Sequence, residues 1–263
     1  MGIKSYKCIA GPRTDKERRL VRANTLWYQW NNVDHKDDIS YVPCWKGEPA
    51  STAYETHLWN ASTIQEWAAG RRYIMIGNEW NLVGGGMWDY NYQARRLRYF
   101  VQAVQGVNPT AKFIGLNEVI TADGVSFDGI TAIGEVARAY KSYYGTLPPF
   151  FGVGFHAYNF GNYDYEARIR QTINQIHQVY GPNCRAWLTE FGHPSSHALA
   201  YDAMRKVNNV RAYGINCYFW YKSYFEPAKP AENCNLFLKP NGWDAEGTIS
   251  VVGRAYRGLL PRG

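Results

Sequence analysis

No stretch of this 263-residue chain is long and apolar enough to cross a bilayer, and its first residues lack the apolar core of a secretory leader. A helical membrane protein is therefore not expected. A secreted chain with its leader trimmed is the preferred reading of location, and a cytoplasmic protein is the alternative. Cysteine is sparse. The five residues Cys8, Cys44, Cys184, Cys217 and Cys234 match no zinc spacing, and an odd number leaves at least one unpaired. Most fall on strand-like runs, so buried thiols are the expectation, although Cys217 and Cys234 could pair across a loop. No glycine-rich dinucleotide fingerprint follows any strand. No cofactor and no metal are expected. Basic residues exceed acidic ones, for a formal net charge of +7, yet they are scattered over separate segments. Without a basic stripe or a nucleic-acid motif, nucleic acid is not an expected partner. Repeats, linkers and low-complexity tracts are missing as well, so one domain over residues 1–263, working as a monomer, is the economical reading.

Aromatic residues are abundant, with 10 Trp and 21 Tyr. Flat rings pack against the apolar faces of sugars, and they also fill cores. Eight short apolar runs alternate with amphipathic segments. Strands are expected at 3–10, 25–30, 39–45, 73–78, 112–117, 151–156, 185–189 and 214–220. Helices are expected at 14–23, 62–69, 89–106, 128–144, 165–180, 196–210 and 250–260. Only a short polar piece separates the second and third strands, too short for a full crossover helix. Strands with helical crossovers imply a parallel sheet. Eight such units predict a (β/α)8 TIM barrel with one abbreviated crossover after the second strand.

The run from Tyr73 to Gly77 carries no charge and ends in Asn78-Glu79. A second run, from Cys184 on, ends in Glu190. Barrel sites lie at the C-terminal ends of strands. Those ends offer Trp30, Trp45, Asn78, Glu79, Asn117, Glu118, His156, Tyr158, Glu190, Trp220 and Tyr221. Two carboxyl groups and a set of amides and rings suit glycoside cleavage. One acid protonates the leaving oxygen while the other carboxylate attacks the anomeric carbon, or activates water there. The expected catalytic pair is Glu79 as acid/base and Glu190 as nucleophile. Glu79 would need a raised pKa, from partial burial and from the charge of Glu190. Trp220 is the preferred sugar platform, with Trp45 and Trp30 as further cleft walls. Glu118 is either a substrate contact or plain surface. His156 either braces the barrel mouth or touches sugar.

Asn78-Glu79 after the fourth strand and Glu190 after the seventh resemble the large clan of retaining (β/α)8 glycoside hydrolases. Within it the chain is most similar to the compact endo-β-1,3-glucanases of glycoside hydrolase family 128. The similarity runs through Trp27-Tyr-Gln-Trp30, Tyr41-Val-Pro-Cys-Trp45, Ile76-Gly-Asn-Glu79, Phe155-His-Ala-Tyr158 and Trp187-Leu-Thr-Glu-Phe191. Where that family continues Asn-Glu with Pro-Asp, this chain has Trp80-Asn81. The resemblance implies that Asn78 binds the sugar 2-hydroxyl, that Tyr158 hydrogen-bonds the nucleophile and that Trp220 lies beneath the sugar. It implies a retaining endo-hydrolase acting on a β-linked polysaccharide, preferably β-1,3-glucan. The alternatives are the same chemistry on a β-1,4 or uronate-containing glycan, and a barrel that binds glycan without cleaving it.

Overall fold

The apolar runs assemble into one parallel sheet: β1 (Tyr6–Ala10), β2 (Trp27–Tyr28), β3 (Cys44–Trp45), β4 (Tyr73–Ile76), β5 (Lys112–Val119), β6 (Phe150–Tyr158), β7 (Arg185–Gly192) and β8 (Ile215–Trp220). The computed structural model describes residues 6–11, 15–20, 26–28, 38, 40–46, 61–82, 89–120, 128–161, 163–192, 196–221, 235–238 and 248–259. The strand order is β2-β1-β8-β7-β6-β5-β4-β3. The two edges of that sheet meet. Trp27 bridges Tyr41 in parallel just ahead of β3, and Val42 N donates to Trp27 O at 2.9 Å. The sheet is thus nearly closed into the expected α/β barrel. The short crossover between β2 and β3 falls largely outside the described residues.

The helices are α1 (Asp15–Leu20), α2 (Ala61–Ala68), α3 (Tyr90–Gln105), α4 (Gly129–Tyr144), α5 (Tyr165–Tyr180), α6 (His197–Val210) and α7 (Val251–Leu259). Four of them start where a short polar side chain can accept from a backbone N–H of the first turn. Asp89, Asp128, Asp164 and Ser196 do this for α3, α4, α5 and α6. α4 stops at Gly145, whose φ of 71° suits glycine. Along α3 the buried positions Ala94, Leu97, Val101 and Val104 keep helical spacing and face the sheet. Among the described residues no helix is long and apolar enough to cross a membrane.

Two apolar layers result. Cys8, Tyr28, Cys44, Met75, Ile114, Trp187, Cys217 and Phe219 fill the barrel interior. A larger layer, including Ile74, Ile76, Leu97, Phe155 and Tyr256, lies between strands and helices. Cys217 is a free, buried thiol on β8, which corrects the possible bridge to Cys234, a residue outside those described. Two short antiparallel strands between β8 and α7 were not expected: β9 (Phe237–Leu238) and β10 (Thr248–Ile249). Strands of two residues have no periodicity to read.

Candidate active site

β4 delivers Glu79 through a forced turn. Gly77 has φ 94°, and a Cβ there would stand 2.7 Å from Leu116 O. Only glycine lets β4 press so closely on β5. Glu79 itself has φ 54°. Its N–H donates to Asn117 O at 3.0 Å and its carbonyl accepts from Leu82 N at 2.8 Å. A left-handed glutamate is strained by about 1–3 kcal/mol. Here the strain turns the side chain over the barrel mouth, where it is 28 % exposed. Asn78, one residue earlier, is buried.

β7 delivers Glu190 differently. Leu188 pairs with Phe155 and Glu190 pairs with His156, so Thr189 is an extra residue in the ladder. That bulge resets the alternation. Trp187 faces the interior, and Glu190 also turns inward instead of out toward the helices. Glu190 is almost wholly buried. Tyr28 OH donates to its Oε1 at 2.9 Å, and Tyr158 OH donates to its Oε2.

His156 lies between the two acids. Nδ1 stands 2.9 Å from Glu79 Oε1, and Nε2 faces Glu190 Oε1 at 3.6 Å. The ring is fully buried. One ligating atom from each of the three residues lies within 4.8 Å of the others. His156 therefore braces the site; it offers no surface to a sugar.

The three groups share charge. Burial disfavours the imidazolium, but the charges of Glu190, Glu79 and Glu118 and the bond to Glu79 outweigh it, so His156 is shifted up. Burial pushes Glu79 up, but the His156 bond and charge, helped by Lys46, bring the net shift below the ordinary carboxylate value. For Glu190, burial and the charge of Glu79 prevail over His156 and the two phenols, and the shift is upward. The upward shift expected on Glu79 thus falls on Glu190. The imidazole between them is the reason, and its position follows from the register of β4 through β7, which no local pattern discloses.

Two of the expected aromatic platforms are core residues. Trp220 is fully buried, with Phe191 at 5.2 Å and Tyr256 of α7 at 5.5 Å between ring centroids. Trp45 is buried, stacked on Trp67 of α2 at 5.3 Å and near Phe100 of α3 at 5.9 Å. Both point outward into the helical layer, because strand side chains alternate and Phe219 and Cys44 take the inward places. Trp30 lies outside the described residues. Glu118 is neither surface nor sugar contact. It is fully buried and accepts from Asn81 N at 2.7 Å, and burial pushes its carboxyl up to about 8.

The sequence reading missed Tyr28 and Phe160. Tyr28 sits in an aromatic run that gave no sign of which ring points inward. Phe160 is 46 % exposed, with its ring 6.2 Å from that of Tyr158. It continues the even-numbered alternation of His156 and Tyr158, a signal that could have found it. Tyr221, at 5.7 Å from Tyr158, completes the aromatic side of the site.

No protein-family model and no curated protein sequence matches the chain. Solved structures do. A GH128 (subgroup II) endo-β-1,3-glucanase from Pseudomonas viridiflava is 18 % identical with a TM-score of 0.68, over 100 % of this chain and 99 % of that one. A subgroup I endo-β-1,3-glucanase from Amycolatopsis mediterranei, a Glu→Ala mutant in complex with laminaripentaose, is 14 % identical with a TM-score of 0.65, over 97 % and 100 %. A subgroup III curdlan-specific exo-β-1,3-glucanase from Blastomyces gilchristii, in complex with glucose, is 15 % identical with a TM-score of 0.63, over 96 % and 97 %. At this identity the likeness establishes the shared barrel fold.

Proposed function

We propose that the protein is a glycoside hydrolase that cleaves β-1,3-glucan with retention of configuration, using Glu79 and Glu190, on one catalytic domain. The observation that carries this reading is the pair of glutamates at the ends of β4 and β7, with one carboxylate oxygen of each within 4.8 Å of the other. Retaining enzymes place their two carboxyl groups about 5–5.5 Å apart, and inverting ones leave a wider gap for water. The β-1,3 linkage is supported by the endo- and exo-β-1,3-glucanases that share the fold.

Glu79, the more open of the two, serves as acid/base. Glu190, oriented by Tyr28 and Tyr158, serves as nucleophile. In the free site His156 Nδ1 stands 2.9 Å from Glu79 Oε1, and with the ring shifted up and Glu79 shifted down a proton shared by the pair lies toward the ring. Glu79 takes it up and passes it to the leaving oxygen as Glu190 attacks the anomeric carbon. Once Glu190 is esterified its charge is gone, and Glu79 can draw a proton from water. Asn78 meets the sugar 2-hydroxyl beside Glu79. The protein needs no cofactor or metal for these steps, and its partner is an oligo- or polysaccharide.

The test pairs two variants on laminarin. Glu190→Ala abolishes turnover, and azide restores part of it with the opposite anomer as product. Glu79→Ala keeps activity only on substrates with good leaving groups. Normal reducing-sugar release by both variants would sink the assignment.

A further inference from the structure

Beneath the two carboxyl groups lies a hydrogen-bonded frame that the proton and nucleophile steps do not use. β5 and β7 flank β6, and each carries one extra residue at the same level. On β5, Leu116 pairs with Gly154 and Glu118 with Phe155, so Asn117 is the extra residue. On β7 it is Thr189. The two side chains meet inside the barrel. Thr189 Oγ1 donates to Asn117 Oδ1 at 2.9 Å, with Phe155 O a longer 3.2 Å away. Asn117 Nδ2 donates to Gly77 O at 2.8 Å, and Asn117 O accepts from Glu79 N at 3.0 Å.

The local sequence is bent to make this frame possible. Leu116 and Asn117 have φ of 78° and 55°, two successive left-handed residues without a glycine between them. A Cβ on Gly154 would stand 1.8 Å from Asn117 Oδ1, so β6 is cut back to admit the amide. Each end of the frame lies close to one acid. Thr189 immediately precedes Glu190, and the Gly77 carbonyl and the Glu79 N–H bracket the turn that carries Glu79.

We propose that Asn117 and Thr189 are positioning residues that fix the separation of the two carboxyl groups, Asn117 holding the end of β4 and Thr189 the bulge of β7. This rests on the reading of Glu79 and Glu190 as the catalytic pair. Bulges beside active sites re-aim side chains, and here two of them are tied together across the strand between.

The test uses the full chain. Thr189→Val removes the hydroxyl at nearly constant volume, and Thr189→Ser keeps it. Asn117→Gly removes the amide from a backbone that glycine adopts freely. Turnover of laminaripentaose is measured with thermal melts and with ¹³C titration of the labelled glutamate carboxyls in substrate-free protein. A misplacement of about 1 Å can lower a rate 100-fold. The expected result is a kcat lower by about 10- to 100-fold in Thr189→Val and Asn117→Gly, with KM within about threefold. Thr189→Ser stays near wild type. The titrations of Glu79 and Glu190 lose part of their mutual dependence in the two disrupted proteins. Wild-type kcat and unchanged titration curves in both would overturn the proposal. If the wild-type protein does not cleave laminaripentaose, the functional reading fails, while the titration curves still decide the role of the frame.

Discussion

Replacing Tyr28 by Phe removes a single oxygen from the wall of the site. That hydroxyl donates to Glu190 Oε1 at 2.9 Å and also lies 3.0 Å from Thr189 O. The ring is buried, with Phe219 at 5.4 Å, so Phe fits the same space. A hydrogen bond to a charged group contributes about 1.5–3 kcal/mol. If the ionised Glu190 is the attacking group, its loss lowers kcat/KM by about 10- to 150-fold near neutrality. The sign of the pH effect is also set. The phenol favours the charged carboxylate, so without it the Glu190 carboxyl moves further up. The acidic limb of the kcat/KM profile then shifts to higher pH, and the alkaline limb stays. The assay is kcat/KM on laminari-oligosaccharide from acid to alkaline pH, with a thermal melt as control. Tyr158→Phe removes the donor on the other oxygen and should act in the same direction. A change under twofold across the whole profile, in a folded protein, would refute the idea that these phenols hold a working carboxylate.

Glu118→Gln tests the buried acid beneath the Asn81 turn. Burial lifts its carboxyl from the ordinary 4.5 to about 8, so the native state holds the extra proton between those values. The stability this contributes is complete below about 4.5 and is lost as pH rises toward 8. Thermal melts should show wild type and Glu118→Gln alike at low pH, with the variant more stable above pH 8; parallel curves would contradict this. Trp220→Ala should destabilise by about 3–5 kcal/mol as a core truncation, read as a lower melting temperature, whereas Trp220→Phe should leave KM unchanged. A raised KM with normal stability would restore the platform role. Phe160→Ala should raise KM by about 2- to 12-fold with kcat little changed, if its ring packs on a sugar as strongly as on another ring, about 0.5–1.5 kcal/mol; an unchanged KM would remove it from the cleft.

What was legible in the sequence is what local chemistry decides. α5 runs from Tyr165 to Tyr180 as expected, because Asp164 caps it and Ile169, Ile173 and Ile176 mark its inner face. Glu79 and Glu190 stand out in the sequence because each closes a short apolar run, Tyr73–Gly77 and Ala186–Thr189. Facing was not legible. Barrel strands are apolar on both sides, so nothing in Gly214–Trp220 says that Phe219 points in and Trp220 out. The ends of β5 and β7 ran past the expected limits, to Val119 and Gly192. Each carries a bulge, and an extra residue breaks the period that a sequence reading relies on. The place of His156 between the acids depends on the successive registers of β4, β5, β6 and β7, a long-range property with no local signature.

The most direct test of the central claim is the configuration of the first sugar released. Proton NMR in the opening minutes of laminaripentaose cleavage resolves the two anomers before they interconvert. Two carboxylates this close, acting in succession on one carbon, must yield the β-anomer first. Initial appearance of the α-anomer, or no cleavage at all, would contradict the account.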